Sequence, residues 1–414
     1  MSLALLLALA QPARAEPEAT PPTVPAAAPP PTEAAAPPAP PETRFTWVAI
    51  PNASYDVDDG FGAGARAELD WYKPGYSPYQ LAFVTQAFLT TNGYHHHRVR
   101  FDAPGLGPKH TLRLTGHFAY RQWLNDGYWG MGNATTLDRG VVDGTSANAD
   151  KRYRYTLIQP FARLTLRGEL GGPWAWFTFL AGRWSDVETY SGSLLAEEAP
   201  LGMVPGFGVQ PGIGVLFDTR EPELTPDRGV LLELSVRGMP RIGAAEAEWV
   251  AVFASARAFW TLGPKVVLGS RLMGEAMFGD VPFYDLNTWG GLTPMMGFGG
   301  SDTLRGVSFG RYHDLDKAVW NNELRIDVGS QTVLHRELRW QVVPFFDLGM
   351  VWGTEPVGDF PLHPGLGVGI HPIVEGTFVG RLDVALGLDE VEEPNGSRTP
   401  VPNPGVYVVF DHMF

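Results

Sequence analysis

The chain has 414 residues, is 44% hydrophobic and 12% aromatic, and carries a formal net charge of −14 at pH 7. That acidity argues against nucleic acid as a partner, and no run approaches the roughly 18 apolar residues of a spanning helix, so membrane residence would have to use strands. The complete lack of Cys removes disulfides and thiolate metal sites and suits an oxidising envelope compartment.

From the N-terminus, a short apolar run over Leu3–Ala10 precedes Ala13-Arg14-Ala15, an A-x-A-like cleavage site. Residues 1–15 therefore read as a secretory signal peptide, although no basic residue precedes the run. Residues 16–44 are built almost entirely of Pro, Ala, Glu and Thr. Such a composition cannot bury enough apolar surface to offset its ordering entropy, which predicts a disordered periplasmic spacer.

Residues 45–414 offer about sixteen strand-length segments with two-face alternation. In Thr111–Arg121, Leu112, Leu114, Phe118 and Tyr120 alternate with Arg113, Thr115, His117 and Arg121; in Phe378–Leu386, Leu382 and Val384 alternate with Arg381 and Asp383. Charges recurring on otherwise apolar strands are costly in a dry core and cheap facing a wet lumen. Connections alternate between brief ones, such as Gly171–Pro173 and Gly263–Pro264, and long ones over Trp123–Asp150, Asp186–Gly206, Gly279–Ala318 and Leu388–Asn403. Short periplasmic turns with long outer loops predict an all-β, transmembrane antiparallel β-barrel in an outer membrane. Pro51, within the first strand, lacks a donor and would weaken its edge.

Four further features stand out in chain order. Asp218-Thr219-Arg220 with Pro226 and Gly229 forms a turn between the eighth and ninth segments. Leu304-Arg305-Gly306 lies in the longest outer loop. On the twelfth and thirteenth strands, Trp320, Leu324, Phe346 and Leu348 take the outer face, which turns Glu323, Arg325, Phe345, Asp347 and Gly349 inward. Two inward carboxylates on adjacent strands can receive a guanidinium, whose rigid fork of donors bridges them as an ammonium cannot. The chain ends on a period-2 strand to a terminal aromatic, with Gly405, Val408, Phe410 and Phe414 as the candidate assembly signal.

These features together resemble the BamA/TamA (bacterial surface antigen) superfamily of outer-membrane barrels. Leu304-Arg305-Gly306 is similar to its loop tetrad, with Val307 in place of the aromatic; Trp320–Arg325, Phe345-Phe346-Asp347-Leu348-Gly349 and Asp218–Arg220 resemble its twelfth strand, thirteenth strand and turn. The resemblance implies a lumen-inserted sixth extracellular loop, latched by Arg305 to Asp347 and Glu323. It further implies a role in insertion or translocation of envelope proteins through a weak seam between first and last strands. Family members carry periplasmic POTRA modules ahead of the barrel, where this chain has the Pro/Ala-rich segment. The partners implied are outer-membrane lipid including lipopolysaccharide, the barrel-assembly machinery, an unfolded client and a separate periplasmic subunit. A diffusion or uptake channel, or a passive surface scaffold, is the alternative.

Catalysis has little support: no compact nucleophile motif is present, and no cofactor is implied. His95-His96-His97 cannot all face one ion on a strand, and Asp389, Glu390, Glu392 and Glu393 read as a solvated acidic loop.

Overall fold

The structure is a computed structural model that describes residues 43–56, 60–76, 78–107, 111–146, 148–222, 225–242, 247–333, 336–358, 361–374, 378–410 and 413. The expected signal peptide and nearly all of the spacer lie outside the described residues.

Among the described residues the alternating segments form sixteen long strands: β1 (Arg44–Asp56), β2 (Gly60–Tyr72), β3 (Leu81–Thr90), β4 (His95–Leu106), β5 (Leu112–Gly127), β6 (Arg154–Gly171), β7 (Trp174–Thr189) and β8 (Gly206–Asp218). There follow β9 (Gly229–Met239), β10 (Glu248–Gly263), β11 (Val266–Asp280), β12 (Asp316–Val333), β13 (Arg336–Trp352), β14 (His363–Val374), β15 (Phe378–Glu392) and β16 (Arg398–Phe410). Each pairs antiparallel with the next, so the sheet is one continuous meander. Antiparallel neighbours need only a short turn, which is why the brief Gly- and Pro-containing connections suffice on one side.

The pleat sends alternate residues to opposite faces. On one face Trp47, Trp71, Phe83, Phe118, Leu180, Ile213, Leu234, Leu272, Trp320, Leu366 and Val408 are exposed large apolar side chains. On the other, Arg163, Glu233, Arg271, Glu323, Asp347 and Asp383 are buried. Apolar outside and charged inside inverts the pattern of a water-soluble sandwich. Among the described residues no helix is long and apolar enough to cross a membrane.

The sheet wraps around the segment between β11 and β12, residues 281–315. Its Leu292 amide donates to Glu233 on β9, its Gly291 carbonyl accepts from Arg163 on β6 at 2.7 Å, and its Asp302 carbonyl accepts from Arg271 on β11 at 2.6 Å. Contacts to both halves of the meander from one segment require that the charged face be concave.

Two expectations need correction. Leu388–Asn403 is not a long outer loop: β15 and β16 run on to Glu392 and Arg398, paired in continuous register through Leu388↔Pro402 and Glu390↔Pro400. Prolines normally advertise a loop, but an edge strand tolerates them wherever the missing donor points away from its neighbour. The acidic cluster is accordingly engaged. Asp389 is buried and accepts from Arg311 at 2.9 Å, and Glu393 pairs with Arg139 at 2.7 Å. At the other end, Met413 lies outside any strand and packs against Phe259 of β10, so the alternation does not continue through it. Phe414 is outside the described residues.

Candidate functional site

The loop inside the sheet folds around its own apolar residues. Trp289, Phe298, Leu304, Val307 and Tyr312 form one buried cluster with Phe253, Met273, Val319 and Val351 of the wall. Val307 thus fills the position of the expected aromatic with aliphatic packing. Thr303 closes a turn, its hydroxyl donating to the Gly299 carbonyl at 2.7 Å. Asn321 of β12 donates to the Thr303 carbonyl at 2.7 Å and accepts from Arg271 at 2.9 Å. Anchored on both sides, the next two residues are forced against the wall.

Arg305 meets three carboxylates there. Its Nε and Nη2 donate to Asp347 at 2.8 and 3.0 Å, a bidentate fork, while its own backbone amide donates to the same carboxylate at 3.2 Å. Its Nη1 donates to Glu323 at 3.0 Å and to Asp383 at 3.3 Å. The guanidinium carbon sits 3.5 Å from the centroid of the Phe345 ring, a cation–π stack that covers one face of the fork. Arg305, Asp347 and Asp383 are 0% exposed, so this is a dry ion cluster. Sequence reasoning placed Asp347 and Glu323 at this position and missed Asp383.

The miss has a visible cause. Asp383 lies on β15, separated from β13 by β14, and a side chain can span that strand only if β14 presents nothing inward. Gly365, Gly367 and Gly369 occupy alternate positions of β14. A Cβ at Gly365 would overlap the Arg305 carbonyl oxygen, and one at Gly387 of β15 would overlap that of Gly306. Gly306 itself has φ +86° and lies against the Gly387 backbone, so only glycine fits there. Its amide donates to the Tyr407 hydroxyl of β16 at 3.0 Å. Gly405, expected as part of the terminal signal, leaves the room that the Tyr407 ring occupies. Gly349 likewise makes space for Phe298 and Leu304. The inward glycines at alternate positions were the unused signal.

A second tier reaches the opposite end of the sheet. His371 sits 2.8 Å from Asp383, and Arg325 donates to Glu323 at 3.0 and 3.1 Å. Arg325 also approaches the Pro226 carbonyl at 3.5 Å, tying the ion cluster to the turn between β8 and β9. In that turn Asp218 and Arg220 pair bidentately at 2.8 and 3.0 Å, and Thr219 bonds Val230 through its hydroxyl. Gly229, at φ +97°, lies against the Thr219 carbonyl where a Cβ would collide.

The two end strands are the remaining feature. Among the described residues no hydrogen-bonded register joins β1 to β16. Pro51 keeps its place opposite Ala65 in the β1–β2 ladder, and Pro400, Pro402 and Pro404 keep theirs in the β15–β16 ladder. A proline is accommodated in a ladder where its nitrogen points away from the paired neighbour. The donors missing at Pro51 and at three alternate positions of β16 are therefore missing from the edges that face the seam. Val406 and Val408 stand exposed beside it, on the outer face. Phe410 ends the strand.

No protein-family model matches the sequence, and no curated protein matches it. Solved structures do. BamA from Haemophilus ducreyi, in a form lacking POTRA domains 1–3, aligns over 88% of this chain and 71% of its own, with a TM-score of 0.51 at 13% identity. CdiB from Escherichia coli aligns over 88% of this chain and 61% of its own, with a TM-score of 0.55 at 13% identity. The chain thus spans about three-fifths of CdiB, and it shares the fold of these two structures, one large antiparallel β sheet.

Proposed function

We propose that this chain is an outer-membrane barrel that works in the insertion or translocation of envelope proteins. The observation that carries the reading is the seam: two end strands whose facing edges lack donors at Pro51, Pro400, Pro402 and Pro404, next to a loop fixed inside the sheet by Arg305. A seam poor in hydrogen bonds can part at low cost and offer its free edges to an incoming strand. The buried ion cluster keeps the remaining wall in register while it does so. The apolar outer face supports residence in lipid, including lipopolysaccharide on the outer side.

On this reading the expected signal peptide and spacer deliver residues 45–414 to the outer membrane, where the barrel-assembly machinery inserts them. The client is an unfolded envelope protein. A separate periplasmic subunit docks at the short turns, among which Asp218–Arg220 with Pro226 and Gly229 is a fixed feature. No covalent chemistry and no cofactor enter the proposal. A diffusion or uptake channel is the second reading, favoured by the half-buried polar wall of β2–β5.

The test is reconstitution of the full chain in liposomes with a urea-unfolded client barrel, read by heat-modifiable client migration. Assembly faster than in empty liposomes supports the proposal; a rate equal to that of empty liposomes, both with and without periplasmic extract, refutes it.

A further inference from the structure

The inner loop is gripped a second time, at a place the Arg305 latch does not use. Within the loop Thr288 and Trp289 pair with Met296 and Met295, a small antiparallel hairpin whose turn begins Gly290-Gly291-Leu292. Glu275 of β11 accepts from the Gly290 amide at 2.6 Å, and Glu233 of β9 accepts from the Leu292 amide. Arg163 of β6 donates to the Gly291 carbonyl at 2.7 Å, and Arg237 of β9 donates to the Thr288 carbonyl at 3.1 Å and to its hydroxyl at 3.0 Å. Glu275 is itself held, accepting from Arg237 at 2.6 Å and from Lys317 of β12 at 3.2 Å. All of these wall side chains are buried.

The turn fits this seat closely. The Leu292 side chain packs on Ala175, Phe177, Phe179, Leu216 and Leu231. A Cβ at Gly290 would come 2.9 Å from the Glu275 carboxylate, and one at Gly291 2.7 Å from that of Glu233. The two glycines thus let main-chain amides reach carboxylates that a side chain would hold off, and hydrogen bonds to an ionised acceptor are roughly twice as strong as neutral ones. None of the latch carboxylates, Glu323, Asp347 and Asp383, takes part. Between the hairpin and Thr303 stand Gly297, Gly299 and Gly300, at φ +85°, +107° and +87°. Three glycines in four residues make that link the hinge between the two grips. Trp289 and Leu304 share one apolar cluster, but that contact is non-directional and fixes no angle between them.

We propose that the inner loop is a tethered gate with two separate anchors: the Gly290–Leu292 turn stays seated on β6–β11 when the Arg305 turn leaves β12–β15. Release at Arg305 then swings the Thr303–Gly310 arm about the glycine hinge and clears the lumen on the side of the seam, while the hairpin keeps the loop inside. The proposal goes beyond the insertion reading and fails separately from it, because the gate is read as a cleavage pattern and insertion as client assembly.

The experiment is chymotrypsin digestion of the membrane-embedded full chain, with fragment masses separating cuts after Trp289 and Leu292, in the hairpin, from cuts after Leu304 and Phe309, in the arm. Arg305→Ala should raise cleavage in the arm on the order of tenfold and leave the hairpin as protected as in the wild type. Gly291→Ala, which displaces the turn but removes no wall charge, should give the reverse. If Gly291→Ala loses heat-modifiable migration, Leu292→Ala empties the apolar seat instead and is read at Trp289 alone. Equal exposure of hairpin and arm in Arg305→Ala, equal exposure of both in the folded turn variant, or unchanged cleavage after Trp289 in that variant overturns the proposal.

Discussion

Arg305 is not balanced symmetrically by its three acceptors. Glu323 keeps Arg325 and Asp383 keeps His371 when Arg305 is removed, but Asp347 has its fork only from Arg305. Arg305→Ala therefore strands one fully buried carboxylate, at a cost of about 3–5 kcal/mol. Asp347→Asn leaves Arg305 with two acids and should be milder. Adding Asp347→Asn to Arg305→Ala should recover part of the loss, because the stranded charge disappears. Protease cleavage within 281–315 reads all three variants; equal effects from the single changes, or additive ones, would contradict this arrangement. His313 gives the same loop a pH response. Burial, with Lys317 and Arg311 nearby, lowers its pKa to about 3, so the folded loop holds it neutral while the unfolded chain protonates near its ordinary 6.5. Its contribution is complete above pH 6.5 and is lost progressively as pH falls below that value. Cleavage of the loop should rise between pH 7 and pH 5 in the wild type, and His313→Leu should flatten that rise.

At the scale of strands, face parity was readable from the sequence because a lipid-facing row cannot carry charge. Trp320, Phe346 and Leu348 outward turn Glu323 and Asp347 inward with no freedom left. What could not be read was reach. Asp383 joins Arg305 only because β14 presents glycines inward, and glycine carries no hydropathy signal. Proline misled in the opposite way: Pro400 and Pro402 suggest a loop, and only the continuous β15–β16 register shows them, together with Pro404, to be strand residues with donors missing on one side. That reading makes a prediction. Replacing all three with Thr restores donors and β propensity at the seam edge. The temperature at which the folded band converts to the unfolded one on gels should rise, and client assembly should slow. An unchanged conversion temperature would mean that these positions do not face the seam.

Across the whole molecule, the inner loop joins parts of the sheet that share no strand pairing. Arg305 fixes it to the wall, and Arg311, also fully buried, fixes it to the outer cover. Arg311 donates to Asp389 of β15 at 2.9 Å and to the Thr135 hydroxyl and carbonyl at 2.8 and 2.9 Å, so it ties β15 to the outer connection over residues 128–153. That connection reaches back through a two-residue parallel pairing of Leu137–Asp138 with Val391 and Glu392, and through the Gly132 amide, which donates to the His313 carbonyl at 2.7 Å. Two arginines in one loop thus hold separate things: one the wall, the other the outer closure. Arg311→Ala leaves Asp389 with the Asn403 amide, which donates to it at 2.9 Å, so the loss should be smaller than for a buried carboxylate left with no donor, about 1–3 kcal/mol. It should expose residues 139–152 to external protease and enlarge the conductance, while sites within 291–304 stay protected as long as Arg305 is intact. Arg305→Ala should give the converse pattern. If either substitution exposed both regions equally, the loop would be a single cooperative plug, and the division between wall and cover would fail.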